Sequence, residues 1–175
     1  KILSEAVLLL DPSLDVRAFA NTESAENHRP PPSNLATTGI PKHLTEQKRG
    51  DILFFRELMK PIEKRSSYWL GRGDRIAKLA AYVNKVAGMP IDEDQLAVAC
   101  YMHDFGMAFM PIEILHKNGR MTESEFNLMR SHVYKSARLL EHLDHWNEAR
   151  KIVMQHHERM DGSGYPLGLK EVDIC

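Results

Sequence analysis

Apolar positions in this chain fall into two regimes: from Asp51 onward they recur at helical spacing, whereas the first 50 residues sustain no period. Ile52, Phe55 and Leu58 predict a short helix that stops before Pro61, since proline lacks the amide a helix interior needs. Ile76, Leu79, Ala80, Val83 and Val86 predict a second helix, closing at Gly88 and Pro90. Leu96, Cys100 and His103 line up on a third that should end near Gly106. Thr122 and Glu125 stand in capping-box spacing and open a fourth, carried on by Met129, Val133 and Leu140. The last runs from about Asn147 to His157. No alternating strand pattern appears, so the fold class is all-α, a helical bundle with short connections and an N-terminal extension.

The extension is of a different kind. Ala6 to Leu10 is apolar but is followed at once by Asp11-Pro12, and too little surrounds it to form a core. Residues 21–50 hold three consecutive prolines at 30–32 among scattered Ser, Thr and Asn, the composition of an exposed connector. The expected division is therefore residues 1–50 as N-terminal segment and connector, and 51–175 as the helical domain. A chain of 175 residues suits one core, and an opening at Lys1 in place of Met reads as a piece of a longer polypeptide.

Charge narrows the function classes. Lys and Arg number 23 against 24 Asp and Glu, a net charge of -1, which argues against broad electrostatic binding of a nucleic-acid polymer or an anionic membrane. Any anionic ligand must be held locally. The two cysteines, Cys100 and Cys175, make neither a disulfide framework nor a metal-type pair, and fit a reducing cytoplasm. No apolar run has the length of a membrane span, and the start carries no signal-peptide pattern.

Nine histidines invite a metal reading, but position decides more than number. His103 follows Cys100 by three residues and Leu96 by seven, so it lies on an inward face with Asp104 beside it. His132 follows Met129 by three and Leu128 by four; His156 and His157 follow Ile152 and Val153 by four each. Any one inward histidine is more often a satisfied core residue than a ligand. Five such groups on three helices are different, because a buried carboxylate among imidazoles is costly unless a cation compensates it. Mixed imidazole and carboxylate donors suit borderline divalent metals, iron, manganese, nickel or zinc, better than calcium or magnesium. The adjacent pairs His103-Asp104 and His156-His157 suggest room for more than one ion, with an aspartate able to bridge two, as in-line displacement at phosphorus requires. By contrast, His28 and His43 fall in the connector, and His116, His142 and His145 read as surface or helix-edge residues. The methionines at 102, 107, 110, 129 and 154 read as core filler.

His103-Asp104 within YMHDFGMAFMP, then ILHKNGRMTESEF, then His132, then HHERMDGSGYP from His156 to Pro166 resemble the HD-GYP family in order and spacing, over roughly residues 66–172. The resemblance implies an α-helical metal-dependent phosphodiesterase that opens cyclic di-GMP to the linear dinucleotide or GMP, with iron or manganese as the favoured metal. It also implies partner domains in the same polypeptide, a sensory or receiver domain and in some members a cyclic di-GMP synthase domain. Carried onto this chain, Asp104 would bridge and serve catalysis, His103 would serve one ion, and His132, His156 and His157 the other. Gly162, Gly164, Tyr165 and Pro166 would form the loop beside the ligand.

The chain also departs from that pattern. Arg72 stands where the family's first metal histidine precedes a segment that here is Arg75 to Ala80. Arginine stays protonated and offers no lone pair, so Arg72 cannot ligate a cation. It should still face inward, four residues before Ile76, where it would pair with Asp104 or stabilise transition-state charge. The family's lysine after His-Asp-x-Gly is Met107 here, an acidic position of some members is Tyr68, and a further family aspartate would fall beyond Cys175. Two functions follow from these residues: a phosphodiesterase holding one or two ions, or a catalytically degenerate module that binds a nucleotide or a partner protein without turnover.

Overall fold

The computed structural model describes residues 39–175; the apolar stretch at Ala6 to Leu10, His28 and most of the connector lie outside them. Among the described residues the protein is all-α. Helix α1 spans Glu46–Glu63, α2 Arg72–Val86, α3 Glu93–Met102, α4 Ile112–Leu115, α5 Glu123–Glu141 and α6 Asn147–Gln155, with short 3-10 segments at Ser67–Trp69, Phe105–Phe109 and Glu171–Asp173. Extended pairing is limited to one isolated bridge between Asp161 and Lys170. No helix among these residues is long and apolar enough to cross a membrane.

Helix α1 begins before the boundary expected near residue 50 and runs past Pro61. Thr45 caps it by accepting from Lys48 N, and its buried stripe is Ile52, Phe55, Met59 and Ile62. Pro61 forfeits one helical hydrogen bond in the last turn, but Ile62, one residue further, is 7% exposed, and its burial carries the helix through. Local propensity loses here to packing. Glu63 then accepts hydrogen bonds from Gly71 N and Gly73 N, both at 2.7 Å, so the end of α1 caps the start of α2.

Helix α3 is the centre of the domain. Every residue from Gln95 to His103 is buried, not merely the stripe expected from Leu96, Cys100 and His103. Ala97, Val98, Ala99 and Cys100 are small, which lets α1, α2 and α6 pack around α3 at close range. Its C-terminus therefore opens into the interior. At the far end of α2 the expectation fails in the opposite direction, since Val86 is 71% exposed. Asn84 explains the turn there: its side-chain amide donates to Ile91 O and accepts from Ile91 N, tying the α2–α3 connection.

Helix α5 starts with the capping box read from the sequence, Thr122 accepting from Glu125 N while Glu125 accepts from Thr122 N. It packs against α6 and against the 3-10 segment that follows Asp104. At one point the two backbones almost touch. A Cβ on Gly106 would lie 2.1 Å from His132 O, and Gly106 N donates to Ser136 Oγ at 2.8 Å. Only glycine fits, and the fit sets Asp104 beside His132.

Candidate metal centre

Three helices deliver the histidines in the same way. His103 and His156 are the C-cap residues of α3 and α6, and His132 sits in the middle of α5. In each, Nδ1 donates to the carbonyl three residues back: His103 to Cys100 O at 2.8 Å, His132 to Met129 O and His156 to Val153 O, both at 2.7 Å. A carbonyl can only accept, so each Nδ1 carries a proton, and in His132 and His156, where burial disfavours the charged ring, Nε2 presents a lone pair inward. Hydrogen bonds of this kind hold imidazoles in ligating orientation.

The lone pairs converge without a proton between them. His132 Nε2 lies 3.3 Å from His156 Nε2, and both face Asp104 Oδ1, at 3.4 and 3.9 Å. Ligand atoms of Asp104, His132, His156 and His157 all fall within 4.8 Å of one another. Two acceptors turned on each other beside a carboxylate repel unless a cation stands among them, so the donor set fits a divalent ion. His103 is not in that foursome. It faces the other carboxylate oxygen, Nε2 to Oδ2 at 3.0 Å, and Arg72 Nε stands 3.8 Å from the same atom. The carboxylate is thus divided, Oδ1 toward His132 and His156 and Oδ2 toward His103 and a guanidinium.

Burial sets the protonation states on the Oδ1 side. It lowers His132; it lowers His156 well below its ordinary value, helped by His157 and His103; and it lowers His157 to about 4, with Asp104 opposing. Burial also opposes ionisation of Asp104, but His103, Arg72 and His132 outweigh it and hold the carboxyl well below its usual range. At neutral pH the pocket is one carboxylate among neutral nitrogen donors.

The loop after α6 covers this cluster. Tyr165 stacks on His157 with ring centroids 4.6 Å apart and an interplanar angle of 19°. Gly164 is required by closeness, since a Cβ there would lie 2.4 Å from Arg159 N, and Gly162 has φ 79°, a left-handed conformation that suits glycine. Pro166 is half-buried next to Tyr165. Glu158, only 4% exposed, accepts from the amides of Leu167, Gly168 and Leu169 and pins the loop's far limb. Sequence reasoning passed over Glu158, although it directly follows His157, because nothing in linear spacing shows three amides folding back onto it. It also passed over Ser136 and Arg130, and read Gly106 only as a helix end.

Met107 does not line the cluster. It is 8% exposed and packs with Met59, Ile62 and Met110, while Arg65 donates to the carbonyls of Met107, Ala108 and Met110 and fixes that segment's backbone. Beside the Oδ2 face is a small, mostly apolar pocket lined by Met59, Ile62, Trp69, Arg72, His103 and Asp104. His43, His116, His142 and His145 are exposed, and His116 bonds Arg65 O at 2.8 Å.

A histidine–aspartate pair at the end of a central helix, completed by histidines from two others, defines a metal-binding helical domain. The chain belongs to the HD domain family, whose model matches residues 56–175. Among curated relatives it is 32% identical over 133 residues to a 3'3'-cGAMP-specific phosphodiesterase of Vibrio cholerae, covering 74% of this chain and 31% of the relative. It is 35% identical over 104 residues to a cyclic di-GMP phosphodiesterase of Thermotoga maritima, covering 58% and 28%. To the cyclic di-GMP phosphodiesterase response regulator RpfG of Xanthomonas campestris it is 33% identical over 115 residues, covering 64% and 30%. These relatives are consistent with the HD-GYP resemblance, and the matched region spans less than a third of each of them.

Proposed function

We propose that residues 51–175 form a metal-dependent phosphodiesterase domain that opens a cyclic dinucleotide, cyclic di-GMP, in bacterial second-messenger signalling. The observation that carries this reading is the meeting of neutral His132 and His156 nitrogens 3.3 Å apart over an ionised Asp104. Asp104, His132, His156 and His157 would hold the ion, iron or manganese before nickel or zinc. When bound, such an ion activates water and polarises a phosphoryl oxygen. Asp104 keeps its charge through burial because His103 and Arg72 stand on its other side. Tyr165, Gly162, Gly164 and Pro166 border the ligand, with Tyr165 closing over His157 against bulk water. In the whole protein this domain would follow a sensory or receiver domain, as the response-regulator relative suggests, and would act in the cytoplasm.

A second reading rests on Arg72. Its guanidinium occupies the Oδ2 side, where it supplies charge without open coordination positions, so the domain would bind its nucleotide without turnover. One experiment decides between them. Protein loaded anaerobically with iron or manganese is assayed on cyclic di-GMP while its bound metal is counted. Linear product at enzyme-like rates supports the first reading; binding of the intact nucleotide without product supports the second; neither binding nor product overturns both.

A further inference from the structure

Arg130 stands beside the cluster with no hydrogen bond or ion pair among the described residues, and its Nε is buried without an acceptor. Such a donor is costly to withdraw from water. Two rings hold it there. The Phe126 ring, one helical turn back on α5, lies 4.3 Å from Arg130 Cζ, and the Tyr165 ring lies 5.1 Å away. These rings meet edge to face at 6.3 Å, and Tyr165 in turn stacks on His157. A continuous column therefore runs from guanidinium to tyrosine to metal-site histidine.

Ring contacts satisfy the face of a guanidinium and leave its N–H edge unused. They also restrict the side chain before any ligand arrives, which lowers the ordering cost of binding. Met107, at the family's lysine position, supplies no cation and packs in an apolar cluster with Met59, Ile62 and Met110. We propose that Arg130 is the phosphate-binding residue of this site, its N–H edge received by a phosphodiester oxygen of the nucleotide at the rim of the metal cluster. The assignment rests on the phosphodiester-binding reading above and names the residue that grips the anion.

The test titrates metal-loaded wild type, Arg130→Ala and Arg130→Gln with cyclic di-GMP and, separately, with inorganic phosphate, following heat of binding and bound metal. The glutamine keeps the stem and a polar head, so it decides the matter if the alanine variant fails to fold. The expected result is weakening of both probes on the order of tenfold or more, as loss of a charge-assisted bond gives, with metal content unchanged. Wild-type and variant affinities that coincide for both probes overturn the role of Arg130 while leaving the nucleotide reading intact. A loss for cyclic di-GMP alone also overturns it, because the arginine would then read the guanine edge and not the phosphate. Arg130-dependent phosphate binding by a protein that ignores cyclic di-GMP supports the anion site and overturns the nucleotide. No binding of either probe by wild type overturns both.

Discussion

The two oxygens of Asp104 look onto different environments. Oδ1 meets His132 and His156, whose Nε2 atoms carry lone pairs and no proton, whereas Oδ2 meets His103 and the fixed positive charge of Arg72. One side lacks a cation and the other already has one. The difference teaches that a single buried carboxylate can serve as a ligand and as an ion-pair partner at once, and that its metal capacity depends on which neighbour is arginine. The largest effect should come from removing what the two sides share. Asp104→Asn takes the charge from the foursome and leaves Arg72 buried beside a neutral amide. Metal affinity should fall by at least about 100-fold, more than loss of an outer partner causes, and stability should drop by ~3 kcal/mol, as breaking a buried ion pair does. Metal analysis and urea melts check this; retention of a full ion would show that the carboxylate is not a ligand.

Converting one side into the other is the next probe. Arg72→His places an imidazole on α2 facing Oδ2 and His103, and should raise the bound metal from about one ion per chain to about two, the two-metal arrangement. Arg72→Met removes the guanidinium without offering a donor and should leave the count at about one. An unchanged count in the histidine variant would mean that the Oδ2 side lacks further ligands, and the asymmetry would then not be due to Arg72 alone.

Acid should act mainly through the Oδ1 side. The folded values of His132, His156 and His157 lie below 6.5, so as pH falls through 6.5 the unfolded chain takes up protons that the folded metal-free domain refuses. Stability is then complete above about pH 6.5 and is lost on the way down to about 4, where His157 protonates; the lowered carboxyl of Asp104 extends the loss in the same direction below 3.8. For His157 alone the change is ~3 kcal/mol. Urea midpoints of the metal-free domain from about pH 7.5 to 4.5 should fall steadily and flatten above the ordinary histidine range. A level profile would contradict the buried neutral imidazoles.

Much of this asymmetry was legible in the sequence, and its origin shows where reading stops. Helical spacing turned His103, His132 and His156 inward, and the lack of a lone pair on arginine marked Arg72 as the departure. Spacing could not show that His103 caps its helix and so faces a different oxygen from His132, since that depends on where α3 ends against α5. Nor could it show why α1 survives Pro61, because the burial of Ile62 is a long-range fact. The contacts of Gly106, Glu158 and Arg130 were missed for the same reason: their partners lie 26, 9 and 35 residues away, at His132, Leu167 and Tyr165.

The smallest expected effect concerns the covering loop, and it separates the loop from the cluster. Glu158→Gln keeps the size and one carbonyl acceptor but removes the charge that the amides of Leu167, Gly168 and Leu169 share. Its -NH2 end would face a donor, so stability should fall by about 1–2 kcal/mol, the cost of weakened charge-assisted hydrogen bonds. The four ligand atoms belong to Asp104, His132, His156 and His157, with His132 on α5 and His156 at the cap of α6, so bound metal should stay unchanged while nucleotide affinity drops, because Tyr165 loses its anchor limb. Calorimetric titration of cyclic di-GMP beside metal analysis reads both. Loss of metal in this variant would mean that the loop holds His157 in place, and that cover and cluster form one unit; unchanged affinity would mean that Tyr165 is positioned by its stacking on His157 alone.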